Sequence, residues 1–302
     1  MNWILLGFSA ALFQAIGSAI KKKSLQVTGM NNIIGFISFF TAGIIFGVFF
    51  FVKTGRLLPH LTLSVNFWVA MFWYAGLNIV ASWFMYRALD LAEFNHLMPF
   101  MTLTNLFIII PPMSFLYEMP SLLGLAGIAV IVVGALLMDY KKNDFVSVEN
   151  ELQKKNNRKG VLYFLGTAVC FTITPTVAKI TVLNSSVLFA SFLVHILIGL
   201  GFLVMLLLAK EQWKIKEFFF QPEKKSLLVG VILAGFAVAL QNGSLNLALS
   251  LAPVASVMAI NRTMPLFAFL IGVFYFKERT DLSKKIIATV VMVIGAVIVV
   301  LS

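Results

Sequence analysis

The stretch NLALSLAPVASVMAINRTMPLFAFLIGVFYFKE, residues 246–278, has the composition of a membrane-spanning segment but carries a charge near its middle. Arg262 follows Asn261 there, and Pro265 stands three residues further on. An arginine at mid-span is disfavoured by about 2.5–3.5 kcal/mol on insertion scales, so such a side chain normally faces protein or a water-filled cavity. The stretch therefore predicts a membrane-embedded segment whose arginine faces away from lipid.

The rest of the chain is similarly apolar. Of its 302 residues, 60% are hydrophobic and 12% are charged, whereas a typical soluble domain has about 25% charged residues. No polar segment is long enough to form a soluble domain. We expect a multi-pass protein of a cell membrane, the inner membrane if the source is a Gram-negative bacterium. The net charge of +11 is better explained by basic loops beside the membrane than by binding to nucleic acid.

Ten apolar runs approach the length of about 20 residues that a membrane-spanning helix needs. They are residues 3–20, 32–52, 67–89, 94–117, 122–138, 161–178, 187–208, 227–249, 252–276 and 286–301. Backbone groups find no other hydrogen-bond partners inside a bilayer, so each run is predicted to be helical. The predicted fold class is an all-α integral membrane protein with ten transmembrane helices.

A polar stretch, residues 139–159, separates these spans into two sets of five. We predict two domains, residues 1–138 and 160–302, joined by a solvated connecting loop. The halves share a repeat, because eight of the 33 residues in 86–118 are identical in 246–278. Five is an odd number, so related halves must be inserted in opposite orientations, and inverted repeats around a central cavity are typical of transporters.

Three further features are duplicated between the halves. Each half has an aromatic residue and a lysine eight positions apart, a short Ala-Leu step, and an acidic residue after its fourth span. The matching positions are Phe13–Lys21 and Phe171–Lys179, Ala88–Ala92 and Ala248–Ala252, and Glu118 and Glu278. On these features the chain resembles the ten-span EamA-like branch of the drug/metabolite transporter superfamily.

The resemblance covers nearly the whole chain and implies ten helices around a central cavity, alternating access and small metabolites as substrates. We therefore expect a secondary transporter that exports small polar metabolites, namely amino acids or related compounds. Two alternatives stay open. One is a multidrug efflux carrier with an apolar, aromatic cavity, and the other is a non-transporting membrane protein such as a sensor or assembly subunit.

Neither an enzyme nor a metalloprotein is expected. The chain has no metalloprotease, nucleophile-elbow, P-loop or CxxC motif. Its histidines, His60, His96 and His195, show no metal-ligand spacing, and we expect no cofactor. The expected partners are a small-molecule substrate and membrane lipid but no nucleic acid, and the chain is expected to be a monomer or weak dimer.

Arg262 is the strongest candidate for binding substrate, because it could hold a carboxylate by charge-assisted hydrogen bonds. The alternative is a structural arginine bonded to helix carbonyls. His96 could titrate near neutral pH or could be a helix-packing histidine, whereas the resemblance implies that the span of His195 is peripheral. The other candidates could line a polar cavity or bond helices together; they are Gln14, Trp73, Asn78, Thr102, Asn105, Gln241 and Asn242.

Charged residues bear on coupling and orientation. No Asp or Glu lies deep within a predicted span, which leaves facilitated diffusion or coupling through His96. Glu118 and Glu278 are predicted to tie neighbouring helix ends together. The loops after the odd-numbered spans hold nineteen cations and the opposite side three, so the positive-inside rule places both termini outside the cytoplasm. The resemblance implies cytoplasmic termini instead.

Overall fold

The computed structural model describes residues 2–28, 31–59, 63–91, 107–139, 151–220, 225–274 and 282–302. Within these ranges the regular structure is entirely helical, which confirms the all-α prediction. The helices are α1 (Asn2–Thr28), α2 (Asn31–Thr54), α3 (Val65–Leu91), α4 (Ile110–Leu116), α5 (Leu122–Asp139), α6 (Glu151–Leu183), α7 (Val187–Leu208), α8 (Gln212–Phe220), α9 (Lys225–Leu251), α10 (Val254–Asn261), α11 (Met264–Phe274) and α12 (Leu282–Leu301).

Seven segments in the described ranges are long and apolar enough to cross a membrane. They correspond to the predicted first, second, third, sixth, seventh, eighth and ninth spans. The fifth and tenth predicted spans are shorter apolar helices, Leu122–Leu137 and Ile286–Leu301. Most of the fourth, residues 94–106, lies outside the described residues. A multi-pass membrane protein is therefore confirmed, while the count of ten spans stays a prediction.

Two helical segments lie where composition predicts a polar loop. Helix α6 begins at Glu151, so residues 151–159 are helical although they belong to the predicted connecting loop. These residues are rich in Glu, Gln, Lys and Arg, which are polar but are good helix formers. Helix α8 similarly occupies a polar stretch between two spans. Polarity therefore does not exclude helix.

The chain packs as two compact units, and each unit is built from two separate segments of the sequence. The first unit comprises residues 1–79 and 177–251, and the second comprises residues 80–176 and 252–302. In the first unit α2 packs along α7, and α1 and α2 pack along α9. In the second unit α5 packs along α12, and α10 contacts both. Because these units group residues by contact, they do not test the predicted boundary between repeated halves.

Helices α5 and α12 of the second unit approach each other through a reciprocal pair of glycines. A methyl group added to Gly134 would lie 2.9 Å from the backbone nitrogen of Met292, and one added to Gly295 would lie 2.7 Å from that of Ile131. Gly295 and Met292 follow Gly134 and Ile131 by the same 161 positions. Gly134 thus contacts the residue three positions before Gly295, and Gly295 contacts the residue three positions before Gly134. Only glycine permits backbones this close.

The same arrangement occurs between α2 and α7 in the first unit. A methyl group on Gly43 would lie 3.0 Å from the backbone nitrogen of Ile196, and one on Gly199 would lie 3.2 Å from that of Phe40. The offset is 156 positions for both pairs of residues. Each unit therefore contains an antiparallel pair of helices. In each pair, the contact that a glycine of the first helix makes with the second helix is repeated by a glycine of the second helix on the first.

We expect Gly295→Ala to destabilise the protein, because its methyl group would also lie 2.8 Å from the carbonyl oxygen of Gly127. Backbone atoms cannot move aside as a flexible side chain can, and overpacking of this kind costs about 1–3 kcal/mol. The measurement is the melting temperature of purified protein in detergent. Gly76→Ala is the matched control, since a methyl group there meets nothing within 4 Å; equal melting temperatures for the two variants would contradict this packing.

Candidate functional site

A buried polar cluster joins three helices of the first unit. Asn246 of α9 is fully buried, and its Nδ2 donates a 2.9 Å hydrogen bond to the hydroxyl oxygen of Ser191 on α7. Its Oδ1 accepts a longer hydrogen bond, 3.4 Å, from the hydroxyl group of Tyr74 on α3. Interhelical hydrogen bonds of this kind contribute about 0.6 kcal/mol on average in membranes. Tyr74, Ser191 and Asn246, hereafter the Asn246 cluster, therefore fix the relative positions of α3, α7 and α9.

His195 lies one helical turn beyond Ser191 on α7 and is 1% exposed. Its Nδ1 is 2.6 Å from the backbone oxygen of Ser191. A carbonyl oxygen can only accept, so Nδ1 carries the proton in this contact. The rings of Phe39 and Phe46 from α2 flank the imidazole, with centroid distances of 6.0 and 5.2 Å. His195 is thus an interior residue of the first unit, although sequence reasoning gives it little weight.

Two predicted amides of the first unit are partly engaged by their own helices. Asn78 Nδ2 donates to the backbone oxygen of Tyr74 at 2.7 Å, and Asn242 Nδ2 donates to that of Val238 at 3.1 Å. Both side chains are half-buried. Trp73 differs from them, since its side chain is 53% exposed while the adjacent Tyr74 is buried. The two amides remain candidates for polar contact, whereas Trp73 lies on an open face of its unit.

Gln14 of α1 and Gln241 of α9 lie at similar positions along two helices that pack together. Helix α1 ends just before α2 begins, and α2 and α9 begin in one hydrophobic cluster, so α1 runs antiparallel to α9. A methyl group on Gly17 would lie 3.3 Å from the Cβ of Ala237, which sets the register of the two helices. Gln14 precedes this contact by three residues and Gln241 follows it by four. At 1.5 Å of rise per residue they lie about 4.5 and 6 Å beyond it in the same direction.

The predicted ninth span is divided into α10 and α11 by a turn at Arg262 and Thr263. The backbone N–H of Arg262 still donates to Met258 O at 2.9 Å, which completes the last turn of α10. The Thr263 hydroxyl donates to the Ile260 carbonyl oxygen at 2.7 Å. Pro265 then occupies the first turn of α11, where its missing N–H is tolerated. The local sequence therefore explains a break close to mid-span.

Arg262 of the second unit lies at the centre of the apolar segment Val254–Ile271, as the sequence predicts. Its side chain is half-buried, and its Nε is shielded from solvent. Among the residues that the structure describes, this Nε has no hydrogen-bond partner. A buried donor without an acceptor costs about 1–3 kcal/mol, and more when it is charged. The described residues therefore leave the Nε–H of the guanidinium without an acceptor.

Glu118 stabilises the start of the helix that leads to Arg262. Its Oε2 accepts a 2.7 Å hydrogen bond from the backbone N–H of Val254, the first residue of α10. Helix N-termini carry unsatisfied N–H groups and a partial positive charge, so a carboxylate there is favourable. The predicted structural role of Glu118 is confirmed by this bond, and its predicted counterpart Glu278 lies outside the described residues.

The structure describes only some of the predicted site residues. Gln14, Trp73, Asn78, Gln241 and Asn242 belong to the first unit and Arg262 to the second, while His96, Thr102 and Asn105 lie outside the described residues. Sequence reasoning missed Tyr74 and Ser191. Each stands four residues before another polar residue, Asn78 and His195 respectively, and that spacing on one helix face is the signal that could have identified them. No potential metal-binding group of three or more His, Cys, Asp or Glu occurs in the described part of the chain.

Residues 158–301 match the model of the EamA-like transporter family. This part of the chain belongs to that family. The predicted membership of the drug/metabolite transporter superfamily is thereby confirmed. EamA-like proteins are membrane transporters of the drug/metabolite type rather than enzymes. A small-molecule substrate and a lipid environment follow from this membership.

Comparison with solved structures extends the likeness to the whole chain. A crystal structure of a protein superposes with a TM-score of 0.78 at 14% sequence identity, covering 100% of this chain and 98% of the other. At this identity the likeness establishes a shared fold and nothing about substrate. No curated protein matches the chain at a significant level.

We expect Asn246→Ala to lower the melting temperature, because it removes both interhelical bonds of the Asn246 cluster and leaves the buried Ser191 and Tyr74 hydroxyl groups with fewer partners. The expected loss is about 1–2 kcal/mol, since two such bonds are removed. Thermal unfolding of the purified protein in detergent measures it. Asn242→Ala is the control, because its described bond stays within its own helix. A control that is destabilised as much as Asn246→Ala would show that the cluster has no special role.

We expect Glu118→Ala to destabilise the protein by about 1 kcal/mol, the usual cost of losing a helix-capping side chain. The same thermal unfolding measurement applies. Met119→Ala removes a neighbouring side chain that is 76% exposed and should leave the melting temperature unchanged. A Glu118 variant as stable as the Met119 variant would mean that the bond to Val254 does not hold α10 in place.

Proposed function

We propose that the protein is a secondary transporter that exports small polar metabolites, amino acids or related compounds, across a cell membrane by alternating access. Membership of the EamA-like family supplies the class of activity. The observation that carries the substrate class is the half-buried Arg262, whose shielded Nε has no acceptor among the described residues. An oxyanion such as a carboxylate is the chemical group that best matches a guanidinium.

The helix break at Arg262 supports this assignment. Discontinuous helices near the midplane are a common way in which transporters build binding sites, because the break exposes polar backbone inside the membrane. Here the break is short, since Arg262 and Thr263 still bond to the last turn of α10. A purely structural arginine is expected to have its shielded donor paired, and this Nε has no acceptor among the described residues. We therefore assign Arg262 the role of binding the substrate carboxylate.

Contacts within each unit support an inverted repeat of five helices per half. Span two pairs with span seven and span five with span ten, each through reciprocal glycines. These are the pairs that a two-fold axis relating the halves would bring together.

Two further contacts between spans each have a counterpart, as a two-fold axis relating the halves would require. Span one packs on span eight in the first unit, and its counterpart, span six on span three, occurs in the second unit. There the Thr167 hydroxyl donates to Ala81 O at 3.2 Å. Span two packs on span eight, and its counterpart, span seven on span three, includes the ring contact of Phe67 with Phe189 at 5.9 Å. Two related halves in opposite orientations can exchange conformations, which is the structural basis of alternating access.

The test is transport by purified protein in vesicles, measured as counterflow of radiolabelled amino acids and of their amides, in which an uncharged carboxamide replaces the carboxylate. We expect Arg262→Ala to lower kcat/KM for the carboxylate substrate about 10- to 100-fold, the range for one lost hydrogen bond to a charged group. Arg262→Lys should recover part of the lost kcat/KM, because lysine restores the positive charge but not the planar set of guanidinium donors.

Arg56→Ala is the matched control, since Arg56 is an exposed arginine in a loop after α2. It should transport like the unaltered protein. Normal expression together with unchanged transport by Arg262→Ala would remove Arg262 from the binding site. A panel in which no carboxylate-bearing metabolite is moved would refute the proposed substrate class.

A further inference from the structure

Helix α8 is held close to the membrane surface by its connections. It follows the membrane-spanning segment Val187–Leu208 by three residues and precedes Ser226–Leu251 by a short connection. An extended chain covers at most about 3.3–3.6 Å per residue, so the start of α8 is within about 15 Å of the end of α7. The headgroup region on each side of the hydrocarbon core is about 5–8 Å thick, so α8 begins within that region or just outside it.

One face of α8 packs on the end of the first unit. Phe218 is 1% exposed, and Ile215, one turn earlier, packs against the same cluster. The cluster combines the first turns of α2 and α9 with the last turn of α7; its members are Ile33, Ile34, Ile37, Leu206, Phe218 and Val231. Helix α8 therefore covers one end of three membrane-spanning helices.

Away from its buried face α8 carries two exposed aromatic residues, Trp213 on the opposite side and Phe219 on the flank. Trp213 is 61% exposed and Phe219 is 42% exposed. On a helix Trp213 lies about 140° around the axis from the buried Phe218. Tryptophan is enriched at headgroup depth, where the ring contacts acyl chains and the indole N–H remains hydrated. An apolar inner face with a tryptophan on the outer side, next to the end of a membrane-spanning segment, fits a helix in contact with lipid headgroups.

Charge at this end of the unit identifies the kind of headgroup. The sequence of the region, residues 209–225, carries five lysines, among them Lys210, Lys214 and Lys216, against three acidic residues. One of these acids, Glu211, accepts a 3.4 Å hydrogen bond from Asn32 and so faces the protein. Three more lysines, residues 21–23, belong to the last turns of α1, whose end is joined to the start of α2 by a short connection. Basic residues beside a membrane attract anionic lipid by about 1 kcal/mol each.

We propose that α8 and its lysines form a binding surface for anionic phospholipid headgroups at this face of the membrane. Trp213 and Phe219 contact the interfacial region, and the lysines bind the phosphate groups. Because α8 covers the ends of α2, α7 and α9, bound lipid also stabilises the first unit. The proposal does not depend on the transported substrate.

The test uses fluorescence of Trp213 in vesicles of phosphatidylcholine that contain either brominated phosphatidylglycerol or brominated phosphatidylcholine at the same fraction. The signal of Trp213 is obtained by subtracting the signal of the Trp213→Phe variant. We expect stronger quenching by the anionic lipid. In Lys214→Gln/Lys216→Gln the preference should fall about fivefold for each lysine removed, and high salt should weaken it.

Lys53→Gln/Arg56→Gln is the matched control, because it removes two exposed cations at the other end of α2. It should leave the preference of Trp213 for anionic lipid unchanged. Equal quenching by the two brominated lipids, or equal loss of preference in both double variants, would overturn the proposal. Quenching of Trp213 by aqueous iodide but by neither lipid would also overturn it, since α8 would then be exposed to water or a soluble partner.

Discussion

Keeping an arginine inside the membrane is the constraint to which much of the second unit responds. A guanidinium at mid-span must find acceptors or water, because lipid offers neither. The segment Val254–Ile271 is two helices, with Arg262 at the turn between them. Glu118 fixes the first residue of α10, so the helix that presents Arg262 is anchored at its opposite end. The side chain itself retains a shielded donor that no described residue satisfies.

Helix packing in both units depends on the closeness that glycine allows. Between membrane helices the hydrophobic effect adds little, so packing contacts and hydrogen bonds must hold them. The reciprocal glycines of α2 with α7 and of α5 with α12 bring backbones together, and the Asn246 cluster adds hydrogen bonds among α3, α7 and α9. The two glycine pairs make reciprocal contacts of the same kind in the two units.

Apolar run length predicted most of the helices, and α7 has the predicted bounds, residues 187–208. Its start is explained by Ser186, whose side chain caps the backbone N–H of Phe189. Composition could not distinguish helix from loop in residues 151–159, because solvated helices and solvated loops use the same polar residues. It also missed α8, whose burial depends on a cluster assembled from three distant parts of the chain. Arg262 stood out in the sequence because a lone charge in an apolar run is rare, whereas Tyr74 and Ser191 look like ordinary membrane residues until the fold brings them to Asn246.

Binding of matched ligands tests the central claim most directly. An amino acid substrate and its amide, in which an uncharged carboxamide replaces the carboxylate, should be titrated into detergent-solubilised protein and into Arg262→Ala, with affinity measured by calorimetry. If Arg262 holds the carboxylate, the acid binds the unaltered protein at least about tenfold more tightly than the amide, as expected for a charged hydrogen bond, and Arg262→Ala abolishes that difference. The same preference for the acid in both proteins would contradict the account.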